Sequence, residues 1–169
     1  MSTPCPIETE RKFLIRMPDM ATLRGMAAYE ESAIEQIYLK APAGQTHRIR
    51  RRTYEERAVC TETVKRRISA TQAYEDEREI SEAEFEEKCA ERDGDRHVIY
   101  KKRCTFIYKN QLFEVDIYPF WAKQCVVETE LSDPNEQPPW PPCLVLLREV
   151  SGDRSYSNAA LSKHIPPED

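Results

Sequence analysis

The chain has 169 residues, 40% hydrophobic and 33% charged, which is enough apolar material for one buried core across residues 1–169 and too much for a disordered polymer. Its formal charge of −5 argues against duplex nucleic acid as the partner, because phosphate backbones are held by an excess of Lys and Arg. No apolar run approaches the roughly 20 residues that cross a bilayer, and Met1–Glu10 has no basic start followed by an apolar stretch, so neither a membrane span nor a secretory leader is expected.

Ile7–Phe13 reads as a strand with Glu8, Glu10 and Lys12 on one face. Asp19 caps a short helix through Met20, Leu23, Met26 and Ala27. Arg48 and Arg50 flank Ile49 on a second strand. Lys65 and Arg67 share a face on the next, opposite Val64 and Ile68. Glu75, Glu77 and Glu79 form an acidic row. Ser81 with Glu84 then makes a capping box for a helix with Phe85 and Cys89 on one side, ending near Asp93 and Gly94. Lys101 and Arg103 form another basic row. Glu114 and Asp116 alternate with Phe113, Val115 and Ile117, and Glu128 and Glu130 with Val127, Thr129 and Leu131. Pro134–Pro142 is an extended, Pro-rich connection, and Asp153 or Ser155 caps a last helix carrying Ala159, Ala160 and Leu161. The six cysteines (Cys5, Cys60, Cys89, Cys104, Cys125, Cys143) contain no C-x-x-C pair. They read as reduced thiols, several packed as small apolar groups, in a cytoplasmic protein.

Taken singly, each strand reads as the solvated face of an ordinary sheet. Taken together, the charged faces hold seven bases and nine acids, segregated strand by strand, with almost no Thr, Ser or Gln between them. A closed antiparallel barrel of about eight strands accounts for this, with charged faces inward, apolar faces outward under helices, and room for one small ligand. Unpaired buried ions are costly, so such a lumen needs a charged guest. The inner count of −2 becomes positive with two divalent cations, and a triphosphate is then an acceptable ligand.

These residues resemble the CYTH superfamily, the triphosphate tunnel metalloenzymes. Glu8-Thr-Glu10-Arg-Lys12 matches its Glu-x-Glu-x-Lys signature. Arg48-Ile-Arg50, Thr63-Val-Lys65, Glu75-x-Glu77-x-Glu79, Lys101-Lys-Arg103, Phe113-Glu-Val-Asp116 and Val127-Glu-Thr-Glu130 follow in the family's order. Arg148–Asp153 and Tyr156–Leu161 are similar to its C-terminal helix segment. The resemblance implies a mainly β, eight-stranded antiparallel tunnel with helices outside and a C-terminal helix. It implies Mg²⁺ or Mn²⁺ held by Glu8, Glu10, Glu128 and Glu130, and phosphate held by Lys12, Arg48, Arg50, Lys65, Arg67, Lys101 and Arg103. Lys12, Lys65, Glu77 and Asp116 are the expected catalytic groups, with Glu75 and Glu114 pairing with bases or holding a second ion. Hydrolysis of inorganic tripolyphosphate is the first expectation. Adenylate cyclase or nucleoside or thiamine triphosphatase activity comes next, and non-catalytic polyphosphate sensing last. The partner expected is a small triphosphate or polyphosphate, and whether the chain forms a homodimer stays open. Two departures stand out. Ala73 replaces an arginine common two positions before the paired acids, and Met1–Ile7 lacks the His-Phe pair of the cyclases.

Overall fold

The computed structural model describes residues 7–169; Cys5 and the positions where a His-Phe pair would fall before Ile7 lie outside them. Eight strands close into an antiparallel barrel: β1 (Ile7–Arg16), β2 (Glu30–Leu39), β3 (Gln45–Thr53), β4 (Ala58–Arg67), β5 (Gln72–Ile80), β6 (Ile99–Tyr108), β7 (Gln111–Ile117) and β8 (Gln124–Glu130). Their order around the barrel is β5-β4-β3-β2-β6-β7-β8-β1, and β1 returns to β5. A ninth strand, β9 (Leu146–Glu149), lies against β1. The first strand is shared along one edge: Ile7–Thr9 pair with β5, and Phe13–Ile15 pair with β9. Its other edge pairs with β8 from Glu10 to Arg16.

The helices are short. In α1 (Met20–Arg24) the Asp19 carboxylate accepts from the Thr22 backbone N–H, as its position as cap predicts. In α2 (Glu82–Lys88) Ser81 Oγ accepts from the Glu84 N–H at 3.0 Å. Only half of the expected capping box forms, because the Glu84 carboxylate turns away to Arg78. The helix also stops earlier than expected. It gives way to a 3₁₀ turn over Cys89–Glu91, and the backbone N–H of Asp93 donates to the Tyr38 carbonyl on the barrel. Asp153 caps a 3₁₀ turn at Arg154–Tyr156, and Ser157 caps the single turn α3 (Asn158–Leu161). Arg148 and Glu149, expected in a C-terminal helix segment, instead belong to β9, because the exposed edge of β1 offers them backbone partners at Leu14 and Phe13.

Period-two alternation sends odd residues of β1, β7 and β8 outward, where Phe13, Ile15, Phe113, Val115, Cys125 and Val127 form one buried cluster. Leu23 of α1 covers it, but so do Trp140 of the Pro-rich connection and Leu144 just beyond it, so the cover is only partly helical. A second outer cluster packs Ile37, Ile49, Cys60 and Ile80 beneath Phe85 of α2. The third cluster lies inside the barrel. Along the inner face of β1 the charged series Glu8, Glu10, Lys12 gives way to Leu14, as Glu128 gives way to Val126 on β8 and Gln36 to Tyr38 on β2. Leu14, Val126, Tyr38, Tyr118, Trp121, Tyr156 and Leu161 form an apolar plug across that end of the barrel. Among the described residues no helix is long and apolar enough to cross a membrane.

Candidate functional site: a charged lumen

Beyond the plug the lumen encloses a cavity of about 490 Å³. Its wall carries Glu8, Glu10 and Lys12 from β1, Arg48, Arg50 and Arg52 from β3, and Lys65 and Arg67 from β4. Glu75 and Glu77 come from β5, Arg103 from β6, Glu114 from β7, Glu128 from β8, and Arg154 and Asn158 from the C-terminal segment. Eight bases face six acids, an excess of two positive charges where the sequence count gave −2. Asp116 and Lys101 lie behind the wall and cancel each other, Glu79 and Glu130 stand on exposed strand ends, and Arg52 and Arg154 join the lining.

The acidic side is crowded. Glu8, Glu10 and Glu75 surround Lys65 at 3.5, 3.8 and 3.5 Å, while Glu128 pairs with Lys12 at 3.0 Å. Burial, a hydrogen bond with Glu75 and the charge of Glu10 push the Glu8 carboxyl up to about 9. Burial and the neighbouring Glu128 raise Glu10 to about 7. Glu75 and Glu128 are held below the ordinary carboxylate range, because hydrogen bonds and nearby cations outweigh their burial. Among the described residues no three His, Cys, Asp or Glu side chains are drawn together as a ready metal cage; Lys65 and Lys12 stand between the carboxylates. The donor set still suits a hard divalent ion. These are carboxylate oxygens, and a cation among them would oppose the crowding that raises Glu8 and Glu10.

The basic side is short of partners. Among the described residues Arg50 donates Nε and Nη2 only to the neutral amide oxygen of Gln36, at 3.1 and 2.9 Å. Burial beside Arg48 and Arg103 lowers its guanidinium to about 9. Arg48 reaches Glu75 at 3.6 Å, and its buried Nε has no partner among the described residues. Asp116 is fully buried, taking Lys101 Nζ at 2.7 Å and Arg103 Nε at 2.8 Å, and these cations hold it far below its usual range despite its burial. It therefore positions Arg103 from behind the cavity wall. Lys101 is likewise sealed behind the wall, and burial, only partly offset by Asp116, lowers its ammonium to about 7.

Of the predicted site residues, Glu8, Glu10, Lys12, Arg48, Arg50, Lys65, Arg67, Glu75, Glu77, Arg103, Glu114 and Glu128 share the lumen. Glu130 stands opposite Glu10 in the β1–β8 ladder but at the exposed strand end, away from the cavity. Ala73 is Cα partner to both Glu8 and Arg67 and contributes no side chain to the cavity. Arg52, Tyr38, Arg154 and Asn158 also line the lumen and were not among the expected site residues. Arg52 was recoverable, since it continues the Arg48, Arg50 alternation.

No protein-family model matches the sequence, and no curated protein matches it. Solved structures do. The inorganic triphosphatase NE1496 is 26% identical with a TM-score of 0.58, the alignment covering 99% of each chain. PH1819 from Pyrococcus horikoshii has a TM-score of 0.58 at 19% identity over 75% of this chain and 79% of its own. HpAC1 from Hippeastrum, described by a dominant triphosphatase activity, has a TM-score of 0.54 at 15% identity over 74% and 80%. The ordered charge motifs, the closed antiparallel barrel and these likenesses agree: the chain has the triphosphate tunnel fold of the CYTH superfamily.

Proposed function

We propose that this chain, acting as one domain, binds a triphosphate in the barrel lumen and hydrolyses it with the help of a divalent cation, inorganic tripolyphosphate being the preferred substrate. The observation that carries the reading is the excess of buried cations: Arg48 and Arg50 stand beside an Arg103 already paired with Asp116 and Glu114, and among the described residues they meet just one carboxylate, Glu75 at 3.6 Å from Arg48. A polyanion supplies the missing partners. The name of NE1496, similar along its whole length, supports an inorganic triphosphate. Tyr38 is the one aromatic side chain described in the wall, and its hydroxyl already accepts from Gln36 Nε2 at 2.8 Å, so no stacking cleft for a base or thiazole ring is built there.

In this reading Lys12, Arg48, Arg50, Lys65, Arg67 and Arg103 grip the phosphate oxygens, with Lys101 behind Arg103. Glu8, Glu10 and Glu128 would hold Mg²⁺ or Mn²⁺, while Glu130 stands outside the cavity on its exposed strand end. The bound ion supplies charge neutralisation on the transferring group. Glu77 is fixed by Thr63 Oγ1 at 2.8 Å and makes no ion pair among the described residues. In this reading its carboxylate accepts a hydrogen bond from the attacking water and takes its proton. A new P–O bond forms as the bond to the pyrophosphate leaving group breaks, so positioning and electrostatics carry the reaction without a covalent nucleophile.

The test is incubation with tripolyphosphate, ATP or thiamine triphosphate, each with Mg²⁺, Mn²⁺ or chelator. Orthophosphate and pyrophosphate released from tripolyphosphate, and abolished by chelation, are expected. Cyclic AMP from ATP would make the chain a cyclase. Tight binding without turnover of any substrate would make it a sensor.

A further inference from the structure

The C-terminal segment holds a group that the triphosphate reading does not yet use. Asn158 opens α3 where the lumen meets the apolar plug, and it lines the cavity together with Tyr38, Arg48, Arg50 and Arg103. The segment is fixed in place. Ser157 Oγ accepts from the Ala160 N–H at 3.1 Å, the His97 N–H donates to the Ser162 carbonyl at 2.7 Å, and Arg96 Nη1 donates to the Ala159 carbonyl at 2.5 Å.

The side-chain amide is oriented as well. Tyr118 Oη donates to Asn158 Oδ1 at 2.5 Å, and Lys101 Nζ donates to the same atom at 3.4 Å. An ammonium has no lone pair, so the atom facing Lys101 must be the carbonyl oxygen and the nitrogen must lie on the other side. That Nδ2 donates to no acceptor among the described residues. Asn158 is 9% exposed, and its Nδ2 is open to the cavity it lines rather than sealed among packed atoms, so it is free to meet an acceptor on a bound guest. Two donors hold one end of the amide while its other end lines a cavity short of anions.

We infer that Asn158 is a substrate-binding residue whose side-chain N–H₂ donates to phosphate oxygen at the plugged end of the lumen. The inference rests on the triphosphate reading and deepens it. A neutral donor suits this place, because it adds a hydrogen bond to the anion without adding a fourth positive charge beside Arg48, Arg50 and Arg103.

A merely structural Asn158 would work through Oδ1 alone, as a latch for Tyr118 and Lys101. Asn158→Asp keeps an oxygen facing both donors and replaces N–H₂ with a second oxygen, but its charge also repels the anion, so the roles are separated by comparing Tyr118→Phe with Asn158→Ala. Tripolyphosphate affinity measured by calorimetry should fall about 10- to 150-fold in N158D, the value of a charge-assisted hydrogen bond, with the thermal midpoint kept or raised. Tyr118→Phe guards against misfolding of N158D. It loosens the latch but keeps Nδ2, so it should weaken binding less than Asn158→Ala does. Wild-type affinity in N158D, or equal losses in Y118F and N158A, would overturn the inference alone. A folded wild-type chain that binds no tripolyphosphate would overturn the lumen reading, and this inference with it.

Discussion

Two kinds of ion cluster sit on opposite sides of the same barrel wall. Outside, beneath α2, Arg51 is ringed by Glu35, Glu82 and Glu86 at 3.0, 2.7 and 2.6 Å and stacks over the Phe85 ring. Glu62 is ringed by His47, Arg78 and Lys88 at 2.8, 2.7 and 3.0 Å. Burial opposes its charge, yet hydrogen bonds from those three bring its pKa down to about 2. Inside, Lys65 is also ringed by three acids, but those acids crowd one another. Glu8 and Glu10 move upward, and Arg50 moves downward beside Arg48 and Arg103. Each outer cluster is complete within the chain. The inner one is incomplete, as a site proposed to take a polyanion should be.

Substitution should sort the two sides. Arg48→Met removes an inner cation with an orphaned Nε, and Glu75 still has Lys65 at 3.5 Å. Turnover of tripolyphosphate should fall about 10²- to 10³-fold, as when one preorganised donor is lost, while the thermal midpoint holds or rises. A destabilised but fully active R48M would erase the distinction between inside and outside.

Glu62→Gln should do the reverse, costing about 1–2 kcal/mol in urea unfolding, a figure discounted for solvent screening, with kcat/KM unchanged. The sign with pH follows from the depressed pKa. The stabilisation is present above the unfolded value of 4.5 and is lost as pH falls towards about 2. Wild-type and E62Q unfolding curves should therefore converge on acidification, and a gap that widened instead would mean that Glu62 acts through something other than its charge.

The smallest effect belongs to Lys123, an exposed side chain. Lys123→Ala should leave both stability and tripolyphosphate affinity unchanged, because exposed charges are screened. Lys65→Ala should bind about 10- to 150-fold more weakly. Equal affinities in these two variants would reduce the inner rows to solvated decoration.

Most of the lumen was legible because charge recurs at every second residue on β1, β3, β4, β5, β7 and β8. What could not be read strand by strand was depth along the barrel. Glu128 and Glu130 look equivalent in sequence, yet Glu128 is buried against Lys12 while Glu130 reaches the exposed end of its strand. Asp116 looked like a lumen carboxylate, but its two cations seal it behind the wall. The strand β2 gave no signal, since its inner face offers the neutral Ser32, Ile34, Gln36 and Tyr38. The plug was visible in principle as the step from Lys12 to Leu14 and from Glu128 to Val126. It needed the register between β1 and β8 before the two steps could be seen to coincide.

The divided pairing of β1 also bears on the order in which the molecule is made. Glu10 pairs with Glu130 and Phe13 with Glu149, so some 120 to 136 residues separate partners across this seam. A chain emerging from the ribosome can zip β2 to β3, β3 to β4 and β4 to β5 as neighbours and can set Ile7–Thr9 against β5, while the rest of β1 waits for β8 and β9. Such long-range closure is the slow kind. Glu8, Glu10 and Lys12 therefore meet Glu128 only at the last step, and an unfinished chain offers polyphosphate an open basic sheet rather than a tunnel. If a triphosphate binds the closed lumen more tightly than the open sheet, it stabilises the closed form by that difference and should act as a folding ligand.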